Sequence, residues 1–292
     1  MTCASDQTKG RSLFYYMTEL KRDKESRHEL IGLLPAGGKA TRIAPLPCSK
    51  ELYPIGFRAV NGGGSLRPKV ICHYLLEKMR FANVSKAYII LREGKWDIPA
   101  YLGDGTLLNM HLAYLIMHIP FGAPYTLDQA YPFVNNALVA FGFPDIFFEP
   151  ADAYVRLLST QAATNADVVL GLFPTNQPQK MDMVDIDSNG RVLEIVVKPF
   201  HTNLHYTWII AVWTPVFTSF MHEYLCSILR ESEQVDSESG EYTLGQHELF
   251  LGEVVQAAIS NDLTVLGVVF PNDSYIDIGT PEDLVRATDR IE

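Results

Sequence analysis

Apolar and polar positions along the chain fall into two regimes. Residues 1–28 are polar and charged around one aromatic patch, Phe14, Tyr15 and Tyr16, and read as an N-terminal extension with a short helix over 14–24. From Leu30 onward, short apolar runs alternate with stretches of helical period. Residues 30–34, 87–91, 137–141 and 168–173 are continuous apolar runs of strand length, the pattern of strands buried on both faces. Between them, 70–81, 127–134 and 151–161 repeat apolar residues at helical spacing. Strands alternating with helices predict crossover units and an α/β fold, with a mostly parallel sheet covered on both faces.

The second half is less regular. Residues 183–187 and 192–197 flank Ser188-Asn189-Gly190, and Asn-Gly between apolar arms predicts a hairpin. Residues 207–213 read as a strand whose Trp208 and Trp213 belong to the core. Helices are predicted over 215–229 and 247–260, and a strand over 263–270. Residues 57–67, with Gly62-Gly63-Gly64, and the acidic, Ser-rich 231–240 read as loops. There is no internal repeat, so the expected organisation is the extension 1–28 followed by one domain, 29–292.

Composition narrows the function classes. The 292 residues are 47% apolar, enough for a sizeable core in one large domain. With 24 Lys+Arg against 34 Asp+Glu the net charge is −10, which argues against a nucleic-acid binder. An anionic ligand would have to be met by cations gathered locally or by a metal. No apolar run approaches the ~20 residues that span a bilayer, so no membrane association is expected. Cys3, Cys48, Cys72 and Cys226 show neither metal-site spacing nor a disulfide framework, and the expected compartment is a reducing cytoplasm.

The segment that carries chemistry runs from Leu34-Pro-Ala36-Gly37-Gly38-Lys39-Ala-Thr41-Arg42 to Ser49-Lys50-Glu-Leu-Tyr-Pro-Ile55. A strand empties into a glycine loop where backbone N–H groups can approach a phosphate. Lys39, Arg42 and Lys50 then place three cations in one short stretch. The spacing fits neither a Walker A loop nor Gly-x-Gly-x-x-Gly. Taken alone, the glycines serve a tight turn as readily as a ligand.

This segment resembles the signature of the sugar-1-phosphate nucleotidyltransferases, the nucleoside-diphosphate-sugar pyrophosphorylases. Gly37, Gly38, Thr41, Arg42, Pro45, Lys50 and Pro54 fit it, and Ser49–Ile55 is similar to the glucose-1-phosphate thymidylyltransferase version. Tyr101-Leu-Gly-Asp-Gly105, Leu127-Asp-Gln-Ala130, Lys198-Pro199 and Asp277-Ile-Gly-Thr-Pro281 extend the likeness toward the C-terminus. The resemblance implies a Rossmann-like, mixed and mostly parallel sheet. It also implies a nucleoside triphosphate (dTTP favoured, UTP next), a hexose 1-phosphate (glucose 1-phosphate favoured) and Mg²⁺, and it leaves a homo-oligomer open. Arg42, Lys50 and Lys198 would be catalytic. Ala36, Gly37, Gly38, Lys39 and Gln129 would bind the nucleotide, although Gln129 also reads as an exposed helix position.

Asp145 and Asp277 would hold the metal. Asp145 also follows a buried strand, at whose carboxyl end open α/β sheets bind ligands. Thr280, Pro281 and Asp283 read as a helix cap, which leaves Asp277 unexplained by capping. Asp185-Ile-Asp187 is assigned to a hairpin arm rather than to metal binding, and the histidines show no catalytic or zinc spacing.

Several departures from the family pattern stand out. Ala40 replaces a glycine, at a cost of roughly 1–2 kcal/mol if φ is positive there. Pro144 replaces a glycine before Asp145, and Val197 replaces the glutamate that contacts sugar. Phe121 aligns with the base-reading glutamine, Thr126 with a glycine near the base, and the Arg42–Lys50 segment is two residues short. By this resemblance the C-terminal extension of longer thymidylyltransferases, with its allosteric site and oligomer contacts, is not expected. Ala40, Val197 and the missing base-reading glutamine support a rival reading, a nucleotide- or sugar-phosphate-binding regulatory homologue. A metal-dependent glycosyltransferase is a third.

Overall fold

The computed structural model describes residues 28–59, 65–117, 121–232, 248–272 and 274–290. The extension up to residue 27, with the helix expected over 14–24, and most of the loop 231–240 lie outside them.

The first apolar run forms β1 (Glu29–Ala36), followed by the hairpin strands β2 (Pro54–Ala59) and β3 (Leu66–Val70). Helix α1 (Ile71–Phe81) crosses to β4 (Lys86–Arg92), and α2 (Asp97–Leu102) leads to β5 (His111–Met117). Two short helices, α3 (Ala123–Asp128) and α4 (Tyr131–Val134), replace the single helix expected over 127–134. Pro132 in the first turn of α4 cannot donate a backbone hydrogen bond and separates them. Then come β6 (Ala137–Gly142), β7 (Ile146–Phe148), α5 (Ala153–Thr164) and β8 (Val168–Pro174). β9 (Asp182–Ile186), β10 (Val192–Val197) and β11 (Tyr206–Trp213) precede α6 (Pro215–Ser232), which takes in the start of the expected acidic loop. The chain closes with α7 (Leu251–Ser260), β12 (Val265–Val269), β13 (Tyr275–Asp277) and α8 (Pro281–Arg290).

The central sheet is mixed and mostly parallel. Strands β1, β4, β5, β6, β8, β9 and β12 run one way, and β10 and β11 the other. Its main path is β10-β9-β11-β6-β1-β4-β5, with β8 also pairing β11 and β12. Alternation along β1 feeds two cores: Leu34 and Ala36 pack with α1 and α5 on one face, Ile31 and Leu33 with α6 and α7 on the other. Trp208 and Trp213 are buried as expected. The Asn-Gly hairpin also forms: β9 pairs antiparallel with β10, and Asp187 accepts the turn's N–H groups from Asn189 and Arg191.

Several strand assignments differ from the sequence expectation, β7 and β13 among them. Of residues 57–67, read as a loop, 57–59 and 66–67 belong to the β2–β3 ribbon, with Arg58 opposite Arg67, and 60–64 lie outside the described residues. Pro54 and Pro68 disguised it, since a two-stranded ribbon has free edges that tolerate proline. Strand β5, which pairs with β4 at the end of the main path, was not anticipated.

His73 on α1 is fully buried, and neither ring nitrogen has a hydrogen-bond partner among the described residues. Burial, then the nearby Arg58 and Lys69, push its pKa down to about 4 from 6.5. The unfolded chain therefore binds the proton more readily, and stability from this group is lost as pH falls from about 6.5 to about 4. His73→Leu should flatten the Tm-against-pH curve in that window. A curve as steep as the wild type's would refute this source of acid sensitivity.

Candidate functional site

The glycine loop leaves β1 and turns through residues 40–44, where Ile43 and Ala44 donate backbone hydrogen bonds to the Ala40 carbonyl. Ala40 is left-handed, φ 54°, so the strain expected for a side chain at that position is present. Ala40→Gly should stabilise the protein by about 1 kcal/mol in denaturant melts. An unchanged or lower midpoint would contradict that strain. Beneath the loop lies a small third core of Ile43, Ile55, Ile71, Phe147, Ile276 and Ile278, which ties it to β7, β13 and α8.

Lys50 opens a short 3-10 turn, Lys50–Leu52, clamped on both sides by the chain that follows β4. Asp97 accepts hydrogen bonds from the Ser49 backbone N–H (2.6 Å) and hydroxyl (2.7 Å). Glu51 is buried against the Lys95 ammonium at 2.6 Å. The clamp aims Lys50 inward, where it forms an ion pair with Asp145. Burial opposes its charge. Asp145, with Asp277 and Glu51 behind it, outweighs burial and holds the ammonium well above the usual lysine range.

The two-stranded sheet β7–β13 brings the predicted carboxylates together. Asp277 is paired with Ile146, next to Asp145, and the Ile278 N–H donates to the Asp145 carbonyl at 3.1 Å. Burial and then Asp145 push the Asp277 carboxyl up to about 6, against Lys50 and Arg42. Gly279 makes the arrangement compact. A Cβ there would lie 3.1 Å from Arg42 Nη2 and 3.4 Å from Asp277 Oδ2. Thr280 caps α8 as expected, accepting the Asp283 N–H at 3.3 Å.

These residues surround a cleft of about 440 Å³. Gly38, Lys39, Arg42, Lys50 and Lys198 all line it, so the shortened Arg42–Lys50 segment still delivers both cations to one place. Lys198 is also left-handed, φ 44°, and its ammonium sits 3.5 Å from the centroid of the Phe250 ring. Asp145 and Asp277 join through Lys50 and Arg42. Three expected residues stand apart. Ala36 is buried at the end of β1. Gly37 packs against β5, where a Cβ would come within 2.7 Å of Met117 Cε, the end of a flexible side chain. Gln129 is exposed just after α3, its amide donating to the Tyr125 carbonyl at 3.4 Å.

Sequence reasoning missed Lys180, Glu248 and Phe250, which also line the cleft. Lys180 borders a second cleft too, of about 480 Å³, whose walls include Thr175, Tyr275, Asp277 and Arg286. Nothing in the spacing around Gln179-Lys180 marks it, since the residue is placed by the fold.

Two oxygen-donor carboxylates beside a cluster of Lys and Arg side chains suit Mg²⁺, which takes few protein ligands and completes its shell with water and phosphate oxygens. Among the described residues no group of three or more His, Cys, Asp or Glu could by itself hold a metal ion.

Fold and cleft together define an α/β protein with a cation-lined cleft beside its central sheet. The chain belongs to the nucleotidyl transferase family, whose model matches residues 31–292. It is 25% identical over 171 residues to a glucose-1-phosphate thymidylyltransferase from Neisseria gonorrhoeae, an alignment covering 58% of this chain and 55% of that one. It is 23% identical over 171 residues to the low-salt glycan biosynthesis nucleotidyltransferase Agl11 of Haloferax volcanii, covering 58% and 44%. The chain thus spans about half the length of these curated relatives. The inositol-1-phosphate CTP transferase of T. maritima superposes with a TM-score of 0.64 at 16% identity, covering 90% of this chain and 97% of that one. A Bacillus anthracis structure in complex with sucrose superposes at 0.70 and 19% identity, covering 89% and 94%. Both structures share the fold. No helix among the described residues is long and apolar enough to cross a membrane.

Proposed function

We propose that the protein is a sugar-1-phosphate nucleotidyltransferase. The observation that carries this is the convergence of Lys39, Arg42, Lys50 and Lys198 on one cleft, with Asp145 paired to Lys50 and Asp277 interacting with Lys50 and Arg42. In the reaction a phosphate oxygen of the sugar 1-phosphate attacks the α-phosphorus of a nucleoside triphosphate. A new P–O bond forms, the bond between the α- and β-phosphates breaks, and pyrophosphate leaves. No covalent enzyme intermediate is needed, so alignment and charge neutralisation carry the rate.

Arg42 and Lys39 hold the triphosphate and the departing pyrophosphate. Lys50 and Lys198 position the sugar phosphate, and Lys180, which borders both clefts, gives the two substrates a common cation. Asp145 and Asp277 are the residues that would hold Mg²⁺, which supplies charge neutralisation at the phosphates when bound. The acidic partners also explain how a chain of net charge −10 can take two anions.

The similarity of residues 49–55 to the thymidylyltransferase version favours dTTP and then UTP, and the family resemblance favours glucose 1-phosphate as the sugar substrate. The test is pyrophosphate release across a panel of triphosphates and sugar 1-phosphates with Mg²⁺. Turnover of dTTP or UTP with a hexose 1-phosphate supports the reading. Binding with no turnover of any pair overturns it in favour of the regulatory homologue, which the strained Ala40 and the apolar Val197 motivate.

A further inference from the structure

Away from both clefts, α6 meets α3 and α4 through a chain of polar side chains. Cys226 and His222 are one helical turn apart on α6, and Asp128 is the last residue of α3. The Asp128 carboxylate lies 2.9 and 3.1 Å from His222 Nδ1. A carboxylate only accepts, so Nδ1 carries a hydrogen, and in the neutral ring Nε2 is then the acceptor. Nε2 faces Cys226 Sγ at 3.8 Å. Tyr131 stacks on the imidazole at 3.8 Å with planes 8° apart, which fixes the orientation of the ring. Nucleophile, base and orienting carboxylate thus stand in the order that activates a thiol.

The site is reachable, since Cys226 is partly exposed and the His222 side chain is 33% exposed. Of the other two described cysteines, Cys72 is buried and Cys48 is partly exposed. Burial and then Glu51 push the Cys72 thiol far up, and burial followed by Asp97 and Glu51 raises that of Cys48.

We propose that Cys226 is a modification site, a thiol activated by His222 and Asp128 for attack on a low-molecular-weight disulfide. The Sγ proton passes to His222 Nε2, Sγ bonds to one sulfur of the reagent, and the reagent's S–S bond breaks. The departing thiolate takes up a proton. The cysteine is oxidised to a mixed disulfide and half of the reagent is reduced to a thiol, so electrons balance. Asp128 acts as a positioning residue, through His222.

The experiment treats the full chain with oxidised glutathione and follows each cysteine by peptide mass. Cys226 should react at least about tenfold faster than Cys48 or Cys72. His222→Gln and Asp128→Asn should each slow Cys226 severalfold while leaving the rate at Cys48 unchanged. The proposal fails if wild-type Cys226 reacts no faster than Cys48. It fails equally if neither substitution slows Cys226. The wild-type ranking decides the matter even if a variant does not fold.

Discussion

Replacing Asp145 and Asp277 together by alanine should lower the rate of pyrophosphate release by about 10³-fold or more, because several kcal/mol of charge stabilisation at the phosphates is lost. The two carboxylates act as a unit. Asp145 precedes β7, Asp277 ends β13, and the pairing of Ile146 with Asp277 sets them side by side. The single variants should therefore each show most of the loss, since effects of residues acting together do not add. The same double substitution removes a repulsion in the folded protein, because Asp145 helps to push the Asp277 carboxyl up to about 6. It also strips Lys50 of its ion-pair partner. Melting curves beside the rates separate these effects. A variant that is folded and inactive supports the assignment, and one that keeps its activity refutes it.

The second large effect lies behind the site. Lys95→Met should destabilise the protein by roughly 3–5 kcal/mol, the typical consequence of leaving one member of a buried ion pair unpaired. Glu51 and Lys95 are both buried, and Glu51 Oε2 already has no hydrogen-bond partner among the described residues. Replacing both, as Glu51→Leu with Lys95→Met, should recover most of the stability, since well-packed apolar pairs often match a buried ion pair. Chemical denaturation of the two variants checks this. A single variant within about 1 kcal/mol of wild type would show that the pair is not the anchor of the Lys50 turn.

Much of this site was legible because its residues announce themselves locally. Arg42 and Lys50 sit in a dense cationic segment and Asp145 follows an apolar run, whereas Asp277 stood out only through the family-like Asp277-Ile-Gly-Thr-Pro281. Strands β1, β4, β6 and β8 were equally readable, because continuous apolar runs report burial directly. The clamp was not. Lys95 and Asp97 reach Glu51 and Ser49 only once β4 lies beside β1, a juxtaposition that no local pattern encodes. Lys180 and Phe250 were hidden for the same reason, since each reaches the cleft from a distant part of the chain. Gly37 also has a packing role that the pattern did not reveal, since the space beside its Cα belongs to Met117 of β5. Ala40 was anticipated correctly because a positive φ depends on backbone sterics at one residue.

The proposed activity is transfer of a nucleotidyl group to a sugar phosphate in this cleft. The most direct measurement is the mass spectrum of products from the full chain with dTTP, glucose 1-phosphate and Mg²⁺, with UTP in a parallel sample. The predicted result is a nucleotide sugar formed in equal amount to pyrophosphate, and neither product when EDTA is added. Tight binding of both substrates without either product would contradict the account.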